Sequence, residues 1–233
     1  MMAPLKLVIG NKNYSSWSMR PWVLLREAGI AFEEVQLKFD DAGRIAEARH
    51  YSPAGQVPVL LIGSEPVWDS LAICEAAAEM FPEKQLWPTD ARARQVARSI
   101  CAEMHAGFRN LRSAMPMNIR SSFPGKGMSP EVQRDIDRIV TIWQSCQERH
   151  ARQGEMLFGR FSVADACYAP VVMRFMTHAV ALPPQAQAYA DAVRALPSVR
   201  EWIAAARQET EFVAADEPYA QERREARGER GGA

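Results

Sequence analysis

The spacing of hydrophobic and polar positions changes partway along the chain, and that change divides it. Leu5 to Ile9 form a short β-prone run ending at Gly10, and the helical pattern from Ser18 to Ala28 stops at Gly29. Phe32 to Leu37 alternates apolar and polar residues as a half-buried strand does, and Asp40 to His50 reads as a short polar helix. After Pro53 and Gly55 come two more β-prone runs, Val59 to Ile62 and Val67 to Trp68, separated by a turn over residues 63–66. Strands joined so tightly must be antiparallel. A helical pattern then runs from Ser70 to Met80.

Beyond residue 80 the pattern stays helical. Residues 81–91, with Pro82 and Pro88, read as a linker, and from Arg92 the positions Val96, Ile100, Met104, Phe108 and Leu111 predict one long helix. Further helices are predicted over Pro130 to Arg152, Val163 to Val180, Gln185 to Ala195 and Ser198 to Arg207, with Pro183, Pro184 and Pro197 marking the breaks. The order βαβαββα is a thioredoxin-like arrangement, a mixed four-stranded sheet between helices, and an all-helical domain follows it. The expected division is 1–82 for the α/β domain, 83–91 for the linker, 92–215 for the helical bundle and 216–233 for a charged, frayed tail.

Charge and composition narrow the function. Twenty-eight basic residues cancel 28 acidic ones, so no broad field argues for a nucleic acid partner. The apolar stretch in MMAPLKLVIG is too short for a secretory segment, and no run of about 18 apolar residues exists, so a cytoplasmic protein without a membrane partner is expected. Cys74, Cys101, Cys146 and Cys167 form no C-x-x-C pair and read as buried free thiols. His50, His105, His150 and His178 have no ligand spacing, so no metal is expected.

The chemistry concentrates in Tyr14-Ser15-Ser16-Trp17-Ser18-Met19-Arg20-Pro21, between the first strand and first helix. That loop lies at the carboxyl edge of the sheet, where ligands bind in open α/β sheets. The following helix offers free N–H groups and a partial positive charge, so an anion such as a thiolate is stabilised near Ser15 or Ser16. Pro21 suits a first helical turn. The same serines also suit plain capping and turn roles.

This loop resembles the glutathione transferase superfamily, most closely its zeta-like and theta-like serine branch, through Ser15-Ser16-Trp17-Ser18 followed by Arg20. The resemblance implies that Ser15 hydrogen-bonds the glutathione thiolate. Ser15 and Ser18 stand where a thioredoxin has its two cysteines, so the chain must take its nucleophile from glutathione. Three other segments extend the resemblance over residues 5–213. Ser52-Pro53-Ala54-Gly55-Gln56-Val57-Pro58-Val59-Leu60 resembles the family's cis-proline segment, in which the backbone before the proline pairs with glutathione; Pro58 also reads as an ordinary strand-start proline. Asp69-Ser70-Leu71-Ala72-Ile73 resembles the family's acidic-serine helix start, with Ser70 as cap facing the γ-glutamyl carboxylate and Asp69 meeting the ammonium; it also reads as a common N-cap. Phe161-Ser162-Val163-Ala164-Asp165 is a capping box serving folding.

The implied glutathione-contacting set is Ser16, Gln56, Val57, Pro58, Asp69 and Ser70, with Ser15 catalytic. A second-substrate pocket is expected from Trp17, Met104, His105, Phe108 and Arg112, although an arginine on a helix is commonly solvated or ion-paired and Met104 and Phe108 fit plain helix core. Arg112 or Arg120 would suit a substrate carboxylate. The resemblance also implies a homodimer. Trp17, Met19 and Asp69 depart from the zeta pattern, which has a cysteine, an aromatic residue and Glu or Gln at these places. The expected activity is transfer of glutathione to a small hydrophobic electrophile; a maleylacetoacetate isomerase-like activity or a non-catalytic glutathione-binding role are the alternatives.

Overall fold

Leu7, Val8 and Ile9 of strand β1 (Leu5–Ile9) have no exposed surface, as expected of a continuous apolar run covered on both faces. The computed structural model describes residues 3–150 and 154–220. β1 pairs in parallel with β2 (Glu33–Gln36) and antiparallel with β3 (Val59–Ile62), which pairs antiparallel with β4 (Glu65–Trp68). The sheet order is β2-β1-β3-β4. Helices α1 (Ser16–Glu27) and α2 (Ser70–Met80) complete this mixed-sheet, thioredoxin-like domain. An all-helical domain follows: α3 (Ala91–Ala106), α4 (Arg109–Ala114), α5 (Pro130–His150), α6 (Val163–His178), α7 (Pro184–Ala195) and α8 (Pro197–Gln208). Among the described residues no helix is long and apolar enough to cross a membrane.

The two domains share one core. α6, buried on nearly every side, packs against α1 and α3, and Trp22 of α1 meets Trp202 of α8 edge to face at 5.1 Å. Trp143 of α5 packs in the same way against Tyr168 and Tyr189, with centroids 5.9 and 4.8 Å away. The four cysteines are free and buried.

Two expected helices change form. The polar helix over Asp40 to His50 shrinks to a single 3₁₀ stretch at Ala46–His50. Asp40 Oδ1 accepts the N–H groups of Ala42 and Arg44, and Gly43 has φ +72°, so the carboxylate holds a turn where a helix would begin. The long helix from Arg92 breaks after Ala106, where Phe108 takes φ +56°; Leu111 faces the core again one turn later, in α4, so the apolar spacing hides the break. Val96 is exposed, while Ile100, Met104 and Phe108 are buried. The last two positions of the helix predicted over 130–152 and the tail from Gln221 lie outside the described residues.

Asp165, fully buried on α6, ties the helical domain together. It accepts from the Leu157 N–H at 3.0 Å, from the Ser162 N–H and hydroxyl at 2.9 and 3.0 Å, and from the Tyr189 hydroxyl at 3.2 Å. Burial outweighs these bonds and raises its carboxyl pKa to about 6. Ionising it therefore opposes folding as pH rises from its unfolded value toward 6, the reverse of an ion-paired carboxylate. Urea unfolding of Asp165→Ala is expected to show a loss of about 3 kcal/mol, because buried donors are left unpaired. Asp165→Asn is expected to lose the fall in stability between about pH 4 and 6 that the native carboxyl contributes.

Candidate active site

The sheet brings three loop segments to one end. Val8 at the end of β1 pairs with Val59 at the start of β3, which pairs with Trp68 at the end of β4. The Ser15 loop, the Val57-Pro58 segment and the Asp69 start of α2 therefore converge. This is the carboxyl edge of β1, where the sequence located the chemistry.

Ser15 caps α1. Its N–H donates to the Asn11 carbonyl at 2.8 Å, and its side-chain oxygen accepts from the Ser18 N–H at 3.4 Å and shares a 2.7 Å hydrogen bond with the Ser18 hydroxyl. Ser18 Oγ in turn accepts from the Gly10 N–H at 3.2 Å. Of the serines anticipated as caps, Ser15 takes that role while Ser16 and Ser18 lie within the helix, and the cap leaves the Ser15 oxygen fixed at the positive end of α1. Pro21 lies within α1, whose buried side carries Met19, Trp22 and Val23.

The segment after α8 holds this loop from outside. The Glu209 carboxylate accepts from the Lys12 N–H at 2.6 Å and the Asn13 N–H at 2.9 Å, and the Trp202 indole donates to the Lys12 carbonyl at 3.0 Å. The Arg120 guanidinium donates to the carbonyls of Glu209 and Glu211 and, at 3.0 Å, to the Tyr14 hydroxyl, which donates to Glu217 at 2.8 Å. Asn13 bridges to Asn118 at 2.9 Å and accepts from the Arg120 N–H at 2.8 Å. Arg120 is thus consumed in anchoring, and the substrate-carboxylate role considered for it does not fit its bonds.

Three guanidinium groups surround the loop from within. Arg20 lies 4.2 Å and Arg112 5.2 Å from the Trp17 ring. Arg174 of α6 donates to Ser16 Oγ at 3.0 Å and to the carbonyls of Met115 and Arg112 at 2.6 and 3.3 Å. Burial, with the like charges of Arg20 and Arg112, lowers the Arg174 pKa to about 9; burial first, then Arg20 and Arg109, also lowers that of Arg112. Among the described residues none of the three forms an ion pair with a carboxylate, and the buried Nε of Arg20 has no partner. Ser16 is therefore oriented by Arg174.

On the facing side the Val57-Pro58 peptide is cis, as the resemblance implied, and the backbone N–H and C=O of Val57 pair with nothing among the described residues. Gln56 is exposed. The cap of α2 is Asp69, not Ser70 as expected: its Oδ1 accepts from the Leu71 and Ala72 N–H groups at 2.8 and 3.4 Å. The Asx side chain is the better cap here because Asp69 sits outside the helix at φ +74°, a conformation that is costly for a non-glycine residue and concentrates at functional sites. Ser70 then begins the helix, buried, with its hydroxyl unpartnered. Asp69 Oδ2 also meets His105 Nε2 at 3.1 Å, and His105 stands edge-on to Trp17 at 5.0 Å.

Of the expected pocket, Trp17, His105 and Arg112 come together, with the Arg112 guanidinium donating to the His105 carbonyl at 3.1 Å. Met104 and Phe108 lie in the buried core. Sequence reasoning missed Arg174, Glu209 and Asn13. Arg174 had a legible signal, being the lone cation in the apolar stretch of α6; Glu209 and Asn13 had none, because their role is set by contacts from distant parts of the chain.

Residues 14–80 match the model of the glutathione S-transferase N-terminal domain. Over 160 residues, 66% of each protein, the chain is 26% identical to a zeta-class glutathione S-transferase of Euphorbia esula. It is 28% identical over 158 residues to a probable maleylacetoacetate isomerase of Caenorhabditis elegans, covering 66% of this chain and 73% of that protein. A solved glutathione transferase homologue from Burkholderia GL BGR1, with bound glutathione, shares the fold at a TM-score of 0.67 and 22% identity, over 88% of this chain and all of that one. The domain match and these relatives support the glutathione S-transferase superfamily, and the chain has its two-domain fold.

The Glu209 clamp is open to test. Glu209→Ala leaves two loop N–H groups without their acceptor, so amide exchange at Lys12 and Asn13 is expected to accelerate about tenfold or more while exchange in β3 changes little.

Proposed function

We propose that this protein binds reduced glutathione across the converging end of the sheet, holds its sulfur as the thiolate through Ser15 Oγ, and adds it to a small hydrophobic electrophile. The observation that carries this reading is the pairing of a buried capping hydroxyl, Ser15, with a buried and unpartnered hydroxyl, Ser70, at the same sheet end. Val57 offers a free backbone edge between them, suited to strand-like pairing with a peptide. In this reading Ser70 and the start of α2 receive the γ-glutamyl carboxylate, Asp69 receives the ammonium, and Gln56, Val57 and Pro58 line the cysteinyl portion. Ser16 borders the thiolate, held by Arg174.

A free thiol ionises near pH 8.5. One hydroxyl donor, the first turn of α1 and the three guanidinium groups all favour the charged form and lower that value. The sulfur gives its proton to solvent and its electron pair to an electrophilic carbon; a halide leaves, or an enone takes up the pair and a proton. Trp17, His105 and Arg112 line the electrophile's side. A second reading, isomerisation of a cis-enone by reversible glutathione addition, draws support from the nematode relative and from cationic groups suited to an anionic substrate. A glutathione-binding protein without catalysis is the third; the intact Ser15, Val57-Pro58 and Asp69-Ser70 set favours an enzyme. The superfamily resemblance extends the proposal to a cytosolic homodimer that carries out detoxification, with residues 83–91 joining the domains.

The test combines calorimetry with turnover on halides, epoxides, peroxides and cis-enones. Ser15→Ala is expected to keep the glutathione Kd within about twofold while turnover falls about tenfold to a hundredfold, the signature of an interaction with the reacting sulfur and not with the anchor. Ser70→Ala is expected to weaken glutathione binding by about tenfold or more with turnover at saturation retained. If Ser15→Ala turns over normally, the assignment fails; if no panel member reacts with the native chain, the non-catalytic reading replaces it.

A further inference from the structure

We propose that Ser18 is a positioning residue for the thiolate, acting through Ser15; the inference rests on the reading of Ser15 given above. Ser18 has no exposed surface and cannot touch a ligand directly. A serine inside a helix commonly turns its hydroxyl to the carbonyl four residues earlier. This one instead bonds Ser15 Oγ at 2.7 Å, while its oxygen accepts from the Gly10 N–H at 3.2 Å. The Ser18 N–H donates to the same Ser15 oxygen at 3.4 Å. Two groups of one residue thus converge on the candidate catalytic oxygen.

Each hydroxyl carries a single proton. When nothing is bound, the 2.7 Å contact is satisfied with Ser15 as donor. Once Ser15 directs its proton to a thiolate, the contact survives only if Ser18 turns its own proton toward Ser15 Oγ. The Gly10 N–H still satisfies the Ser18 oxygen, so this reversal leaves no buried group unpaired. The result is a directed chain, Gly10 N–H to Ser18 hydroxyl to Ser15 hydroxyl to sulfur, in which each bond polarises the next and strengthens the last. A fixed arrangement, with Ser15 permanently donating to Ser18, would do the opposite and withhold the proton from the sulfur.

The experiment needs glutathione alone. The ultraviolet absorbance of bound thiolate is titrated against pH in the native chain, Ser15→Ala, Ser18→Ala and the double variant, with Ser18→Cys as a volume-conserving weak donor should Ser18→Ala not fold. Ser18→Ala is expected to lower the acid dissociation constant of the bound thiol about threefold to tenfold, with glutathione affinity at acid pH unchanged and no further effect in the Ser15→Ala background. An unchanged or increased dissociation constant in Ser18→Ala would overturn the inference, as would an equal decrease in the Ser15→Ala background, which would mean that Ser18 acts on the sulfur by another route. If Ser15→Ala itself leaves the constant unchanged, it is the reading of Ser15 that fails first.

Discussion

The candidate site depends on how one loop, residues 10–15, is held between two domains. A loop after a central strand carries backbone groups that must be paired once buried. Here the partners come from far along the chain: the Glu209 carboxylate takes the N–H groups of Lys12 and Asn13, the Trp202 indole takes the Lys12 carbonyl, and Asn118 and Arg120 take the side chain of Asn13. The helical domain therefore does more than wall a pocket. It fixes the conformation that sets Ser15 at the start of α1, and the two domains share the loop as they share the core around Trp22 and Trp202.

Electrostatics push the same place in one direction. Arg174 gives up water for two carbonyls and a serine hydroxyl, and its neighbours Arg20 and Arg112 repel it. Clustering three cations, none of them in an ion pair among the described residues and with Asp216 acting on Arg174 and Asp135 on Arg112 from farther away, costs stability. In the reading proposed above, a glutathione thiolate at Ser15 is an anion that these charges favour. Trp17, lying against both Arg20 and Arg112, gives those planar cations an apolar surface that does not neutralise them.

What the sequence disclosed and what it hid follow from the range of the interactions. β1, β3 and α2 were legible to the residue, because apolar runs bounded by Gly and Pro and a polar cap decide them locally. The segments carrying Ser15, Val57-Pro58 and Asp69-Ser70 were legible as motifs, and strand register explains why they meet. The break at Gly107 and Phe108 was hidden because α4 resumes on the same apolar face. The exchange of capping roles between Asp69 and Ser70 was hidden because both residues cap well, and only the backbone twist at Asp69 decides between them. The anchoring by Glu209, Arg120 and Arg174 depends on contacts more than 80 residues apart in sequence, which no local pattern encodes.

The central claim is that the site takes glutathione and keeps its sulfur ionised. Calorimetric titration of the unmodified chain with glutathione near pH 7, run in two buffers of different ionisation enthalpy, counts the protons released on binding. The account predicts saturable binding with release approaching one proton per glutathione, since a thiol that is protonated in water becomes a thiolate beside Ser15. Binding without proton release, or no binding, would contradict it.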